Sequence, residues 1–465
     1  MTNMMTRYVA SVLVSLVSAF PGQIPASKPA SAPALADDPR VHWAEKSAVR
    51  VRTVDPRDED FRDLQPLKAV IGNAQIVMLG EISHGDGTTM LAKSRLVKFL
   101  HQQMNFDVVV FESGLYDMSQ SWKAIQQGKE PVEAVQRSLT PVWSHSPQVA
   151  ELLHYVGRSA RSSRPLALSG FDLQPSLLTR DMLLGELDAF AGRLGVTSEV
   201  TTPGSPLREL AENLTGFKYA QKGLPAPDAA TRQQFYDDLE LLRTRLAAAA
   251  TAATRADVDY WRQIVLSSLK SYGELKWFDV DHGMAADPEW VSFNMRDKQN
   301  ADNVMWLADH AYRGKKIIVW GATMHIVRNA GSIEATIDPK DPRRSYRGMV
   351  PMGAEVWRRA GSRMFSIGFT CYEGVNGIGA PGDEQGFRSP ITSDQDPSIE
   401  LEEILNAARF DYALLNFRKA SGAGAWLTAP IVSRPLANQG MRAVWPNVLD
   451  AMFFIRVMQP NEATR

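Results

Sequence analysis

Two histidines and three carboxylates are set apart by the segments they follow. Glu81 comes directly after an apolar run, Gln75–Gly80 (QIVMLG), and His84 stands three residues later in GEISHG. Glu112 follows the run Asp107–Phe111 (DVVVF), Asp172 follows Pro165–Phe171 (PLALSGF), and His325 lies just past Lys316–Gly321 (KIIVWG). A glutamate abutting a fully apolar strand has to be paired or solvated in a cleft. A neutral imidazole, with an ordinary pKa of about 6.5, can take a proton from water at neutral pH. A neighbouring carboxylate would fix its tautomer and stabilise the imidazolium that forms. A second histidine could protonate a leaving alkoxide or stabilise an oxyanion. Two histidines and a carboxylate are also a known metal ligand set, but there is no HExxH pair and the histidines are far apart in sequence. Singly, each residue has a plainer use, as a helix cap or a structural imidazole. Together on one edge they make a site.

The elements that must position them follow from the same runs. Further apolar runs occur at Met364–Phe369, Tyr412–Phe417 and Met452–Val457, with helical periodicity between strands, as at Met90–Gln103 and Gln148–Ser162. Continuous apolar strands alternating with helices predict an α/β fold, a mainly parallel sheet with helices on both faces. In such a sheet all five polar residues share the carboxyl edge, where open α/β folds bind ligands. The interval from Leu177 to Tyr312 has no comparable strand and reads as a helical insertion, a cap over one edge, punctuated by Pro203, Pro206, Pro225 and Pro227. Gly80 and Gly85 bracket the first motif and permit a tight turn and close backbone approach.

Composition narrows the function. The 465 residues are 44% hydrophobic and 22% charged, with a net charge of -1, so the chain is globular and lacks the basic excess of a nucleic-acid partner. The lone Cys371 reads as a small hydrophobe and excludes an internal disulfide framework or a Cys-rich zinc site. Residues 1–36 have the pattern of a secretory signal peptide: Arg7, an apolar run Tyr8–Phe20 too short to span a bilayer, and Ala34-Leu35-Ala36 before Asp37, with an uncleaved anchor as the alternative because the stretch from Pro21 to Pro33 is long for a cleavage region. The expectation is an exported protein, periplasmic or secreted, whose mature part, 37–465, is one α/β domain with no membrane segment. Several motifs fail. There is no G-x-S-x-G and no P-loop, and Gly377–Gly382 matches G-x-G-x-x-G but contains Pro381 and opens no helix. His145 and His282 read as loop histidines, Trp143, Trp277 and Trp290 as packing rings that a cap could turn to a cleft, and Arg343, Arg344 and Arg347 as a solvated loop.

From about Asp55 to Val457 the chain resembles the erythromycin esterase family, through VMLGEISHG, VVVFES, LSGFD, KKIIVWGATMHIVRN and VPMGAEVWRRAGSRMFSIGFTCYEG in the family's order. The resemblance implies a metal-independent, cofactor-free hydrolase of carboxylic esters or lactones, the family's substrates being macrolide antibiotics, with an α/β core and a helical cap. His84 matches the family's water-activating base, Glu81 and Glu112 its glutamates, and His325 its late histidine. This chain departs from the pattern at Ala322 and Thr323, where the family has histidine and asparagine, and at Lys93, where it often has arginine. On this reading His84 deprotonates water, Glu81 and Glu112 orient and balance it, and His325 serves the oxygen side of the tetrahedral intermediate. Lys93 pairs with a glutamate, and Lys93, Asp172 and Trp143 lie on the substrate side. The partner is a small ester or lactone, with a cell-envelope ester as one option. The alternative is a non-catalytic metal- or haem-binding module on the same scaffold, as iron- or haem-binding relatives of the wider superfamily imply.

Overall fold

A computed structural model describes residues 35, 37–283, 290–335, 346–377, 389–391 and 400–463. Apart from Leu35, the signal-peptide segment lies outside the described residues, as do Arg343, Arg344 and positions 378–382 of the glycine run. Among the described residues no helix is long and apolar enough to cross a membrane.

Each of the seven apolar runs becomes a strand of one sheet, which Val49–Val51 joins as an edge strand. In chain order these are β1 (Val49–Val51), β2 (Ile76–Leu79), β3 (Phe106–Gly114), β4 (Ala167–Asp172), β5 (Lys316–Trp320), β6 (Met364–Asn376), β7 (Tyr412–Asn416) and β8 (Ala451–Met458). Their spatial order is β1-β7-β8-β6-β2-β5-β3-β4, with Ser389–Ile391 added antiparallel to the end of β6. From β8 to β4 every pairing is parallel; β7 runs antiparallel to β8, and β1 antiparallel to β7. The sheet is thus mixed and mostly parallel, as the alternation of strands and helices predicts. A second, three-stranded sheet joins Ile431–Ser433, Met441–Ala443 and Glu334–Ala335.

Burial on both faces explains why the strands are apolar throughout. Ile76, Met78, Val108, Val110, Ile317 and Val319 belong to one hydrophobic cluster, and their alternate neighbours Val77, Leu79, Val109, Phe111, Ile318 and Trp320 belong to the other. This is the period of two that a pleated strand imposes. The second face is covered by α1 (Gly87–Met104) and α3 (Pro147–Ser159), with α2 (Leu115–Gln126) between them in the chain, through Leu96, Val97, Leu100, Leu152 and Leu153. α1 is buried nearly all round and stops at Asn105, whose left-handed backbone (φ 61) closes its last turn. Its interior cations are paired: Arg95 with Asp63 at 2.8 Å and Lys98 with Glu59 at 2.7 Å.

The first face is covered by the insertion. Between β4 and β5 the described residues hold helices and no strand, among them Leu184–Arg193, Pro206–Thr215, Ala229–Ala248, Arg255–Ile264, Tyr272–His282 and α4 (Val291–Trp306). Ser205 caps the helix that Pro206 begins, and Asp228 caps the next long one by accepting from the Thr231 amide. Leu239, Trp277 and Val304 of this insertion share one apolar cluster with the sheet face, so it is a wall as much as an edge cover. α4 is also stitched to β4: Asn303 Nδ2 donates to the Phe171 carbonyl at 2.8 Å, and the Leu173 amide donates to Asn300 Oδ1 at 3.1 Å.

Candidate active site

Register puts the chemistry on one edge. Ile367, Leu79, Trp320, Phe111 and Gly170 are paired in turn across five neighbouring strands. The residues that follow this row, Glu81, Ala322, Glu112 and Asp172, therefore emerge side by side. β3 does not end at Phe111 but continues to Gly114, with a register shift between Phe111 and Gly114. Glu112 sits in that bulge, a device that re-aims a side chain. Gly80 is glycine because a Cβ there would lie 2.5 Å from Thr323 Oγ1, and one at Gly85 would lie 2.7 Å from the Gly377 amide nitrogen. Both serve close approach.

The first limb is built on β2 and α1. Glu81 is fully buried, and its Oε1 is 2.5 Å from His84 Nδ1. Its Oε2 accepts from Lys93 Nζ at 2.9 Å. Burial opposes the charge on Glu81, but Lys93 and His84 outweigh it and hold the carboxyl below its usual range. Burial likewise opposes the imidazolium of His84; the hydrogen bond and charge of Glu81, with Glu112 beyond, lift the His84 pKa above the ordinary value. His84 keeps 28% of its side chain exposed, and among the described residues Nε2 has no partner. Its loop is fastened by Asp86, which accepts from the Ser83 amide at 2.7 Å and from the Ser83 hydroxyl at 3.1 Å.

The second limb is sealed. His325, in the single turn α5 (Thr323–Ile326), is 3% exposed. Its Nδ1 lies 2.7 Å from Asp297 Oδ1 of α4, and its Nε2 lies 3.1 Å from Glu112 Oε1. Phe293 stacks flat on the ring at 5.2 Å. Asp297 is itself held by the Met352 amide at 2.8 Å, from the start of α6 (Met352–Ala360). Burial works against a charged His325, but Asp297 and Glu112 overcome it and push its pKa up to about 10. Glu112, buried beside His325 and Arg296, is held well below the carboxylate range. Arg296 of α4 bridges Glu112 Oε1 (3.1 Å) and Asp172, its Nη2 and Nε both reaching the Asp172 carboxylate.

The limbs join through the turn after β5. Lys93 Nζ donates to the Gly321 carbonyl at 3.3 Å, and the Ala322 amide donates to Glu112 Oε2 at 2.9 Å. The Thr323 amide donates to the Glu81 carbonyl at 2.9 Å. At Ala322 and Thr323 this chain uses its backbone to tie the network. The sequence-predicted residues His84, Glu81, Glu112, His325, Lys93 and Asp172 thus form one hydrogen-bonded cluster, with Trp143 edge-on to His84 at 5.2 Å.

Several expected roles change. His325 has both nitrogens engaged by carboxylates, so it has none to offer the oxygen side of an intermediate. Lys93 is fully buried, lies over the Trp320 ring at 4.3 Å and belongs to Glu81, not to a substrate surface. Asp172 is buried and committed to Arg296, and Trp143, 1% exposed, is a packing ring against His84 rather than a platform. Trp277 is wholly buried within the insertion, and Trp290 stacks on Tyr346 at 5.7 Å. Arg296, Asp297, Phe293 and Asp86 were not foreseen. A signal existed for α4: Phe293, Asp297, Asn300 and Val304 repeat at helical spacing, a core-facing stripe with acid and amide where apolar residues belong. Among the described residues no group of three or more His, Cys, Asp or Glu side chains is placed to hold a metal ion.

This geometry can be set beside known proteins. A protein of Bacillus subtilis (strain 168) described as "Putative hydrolase YbfO" is 27% identical over 418 residues, covering 84% of each chain. A solved structure from Bacillus cereus superposes with a TM-score of 0.72 at 19% identity, covering 94% of this chain and all of that one. An erythromycin esterase mutant, EreC, solved in its open conformation, gives a TM-score of 0.65 at 18% identity over 89% of this chain and 98% of its own. These two structural likenesses carry the fold. The model of the family described as "Erythromycin esterase" matches residues 101–457, from α1 through the sealed limb to β8. With most of its length matched in this way, the chain belongs to the erythromycin esterase family.

Proposed function

We propose that this protein hydrolyses carboxylic esters or lactones, with His84 as the general base that takes a proton from water. The observation that carries the reading is the asymmetry of the His84 ring: Nδ1 is fixed by buried Glu81 at 2.5 Å, and Nε2 has no partner among the described residues. Glu81 as acceptor places the ring proton on Nδ1 and leaves the Nε2 lone pair for water. Charge favours the transfer. Four carboxylates (Glu81, Glu112, Asp172 and Asp297) face three cations, Lys93, Arg296 and protonated His325. A proton arriving on His84 balances the remaining negative charge. His325 then acts as a fixed cation that holds Glu112, a positioning role. Membership in the esterase family supports an ester substrate; a macrolide lactone is one candidate, and a cell-envelope ester another.

The test is a panel of simple esters, lactones and macrolides with wild type and His84→Ala. General-base catalysis contributes about 10²–10⁴-fold, so the variant should lose that much in kcat while remaining folded. Equal turnover by the two proteins would end the proposal.

A further inference from the structure

We infer that Arg296 supplies the oxyanion-stabilising donor of this site through its Nη1 group; the inference rests on the hydrolase reading above. A water attacking an ester carbonyl leaves a negative oxygen, and the other charged donors of the cluster are already spent. Both His325 nitrogens face carboxylates, and Lys93 is buried on Glu81. The backbone amides along the rim also donate inward: Gly80 to Ile367, Gly321 to Leu79, Ala322 to Glu112 and Thr323 to Glu81.

Arg296 is different. Its Nε donates to Asp172 Oδ1 at 3.2 Å and its Nη2 to Glu112 Oε1 at 3.1 Å and to Asp172 Oδ2, which fixes the plane of the guanidinium on two sides. Nη1 donates to no described residue, and it is absent from the buried atoms that lack a partner. One-fifth of the side chain is exposed, while Glu112 and Asp172 are almost wholly covered. A charged fork fixed on two sides, with its third arm reached by solvent, is a preorganised donor of the kind that stabilises charge forming in a transition state. It comes from α4, so the cap completes the site that the sheet edge begins.

The chemistry balances as follows. The water oxygen bonds to the carbonyl carbon as its proton passes to His84 Nε2, and the carbonyl π pair moves to the oxygen facing Arg296 Nη1. The pair then returns, the bond to the alkoxide breaks, and the His84 proton goes to the alkoxide. The products are a carboxylic acid and an alcohol, and Arg296 neither gains nor loses a proton.

The test uses the full chain with p-nitrophenyl acetate as substrate and p-nitrophenyl methylphosphonate as an anionic mimic of the tetrahedral state. Arg296→Ala should lower kcat about 10²–10³-fold with KM changed only severalfold, and phosphonate affinity should fall in step with kcat. Added guanidinium should restore part of the rate to Arg296→Ala, and Arg296→Lys, which lacks the fork, should stay slow. Arg296→Gln replaces the alanine variant if that protein does not fold, since its amide still reaches a carboxylate but offers no third donor. A kcat within tenfold of wild type with unchanged phosphonate binding overturns the inference, as does a loss that guanidinium leaves untouched and that scales with the unfolded fraction. The two readings separate cleanly: turnover that survives His84→Ala removes the base, while phosphonate binding still reports on Arg296 alone.

Discussion

The His84 limb and the His325 limb are built from the same parts, an imidazole whose Nδ1 faces a buried carboxylate, yet they differ in what the second nitrogen meets. At His84 that nitrogen has no described partner and 28% of the side chain is exposed. At His325 it meets Glu112 at 3.1 Å, and 3% is exposed. One carboxylate with an open side gives a base whose pKa is lifted by its neighbours but which can still cycle. Two carboxylates in a closed shell hold the proton up to about 10, so His325 is a standing cation at neutral pH. A histidine on a site edge is thus assigned by the count of its partners and its access to water, not by its presence.

The largest break in the comparison comes from removing the sealed ring. His325→Ala leaves Asp297 and Glu112 facing each other without their shared cation, and breaking a buried pair this way costs about 3–5 kcal/mol. Thermal or denaturant unfolding at pH 6 should show that loss, and a smaller one for His84→Ala, where Glu81 keeps Lys93. The sign with pH is fixed by the raised pKa. The stabilisation from His325 is complete below the unfolded value of about 6.5 and is lost as pH rises through about 10. The gap between wild type and His325→Ala should therefore narrow on the alkaline side. A gap that widens there, or no gap at pH 6, would mean that His325 is neutral in the folded protein.

Sequence alone carried the edge further than the cap. Four of the strands end one or two residues before Glu81, around Glu112, at Asp172 and before the turn that bears His325, and a parallel sheet brings such ends together by topology. Strand direction was less legible. Tyr412–Asn416 is apolar enough for any buried strand, and only its partner β8 makes it antiparallel. Val49–Val51 is too short to carry a pattern. The deeper omission was α4. Arg296 and Asp297 stand in NMRDKQN, which reads as an exposed polar helix, and their burial depends on where a remote insertion folds back over β4. Lys93, Asp172 and Trp143 lie in the same cluster with their side chains buried, whereas the sequence reading gives them to the substrate, because residue type does not reveal whether a side chain faces the cleft or the protein.

A smaller effect sharpens the open limb. Glu81→Gln keeps the shape beside His84 but removes the charge that lifts its pKa. With that charge gone, burial acts against the imidazolium with less opposition, so the His84 pKa falls. The acid limb of the kcat/KM profile should move to lower pH, and the plateau should drop by about 10²-fold as the tautomer and the developing charge lose their support. A profile whose acid limb moves to higher pH, or does not move, would show that the titrating group is not His84.

The smallest expected change concerns Trp143, and it decides whether that ring belongs to the protein or to the substrate. Its indole is 1% exposed, meets His84 edge-on at 5.2 Å, and its Nε1 is buried without a described partner. Trp143→Phe therefore breaks no hydrogen bond and keeps an aromatic edge against the base. An aromatic pair is worth about 0.5–1.5 kcal/mol, and 1.4 kcal/mol is tenfold in rate, so kcat/KM should fall by less than tenfold. The fall should be the same for aliphatic and aromatic esters, since a packing ring affects only the poise of His84. If KM instead changed for one class of ester and not the other, Trp143 would be touching substrate, and the wall behind the open limb would have to be redrawn as part of its floor.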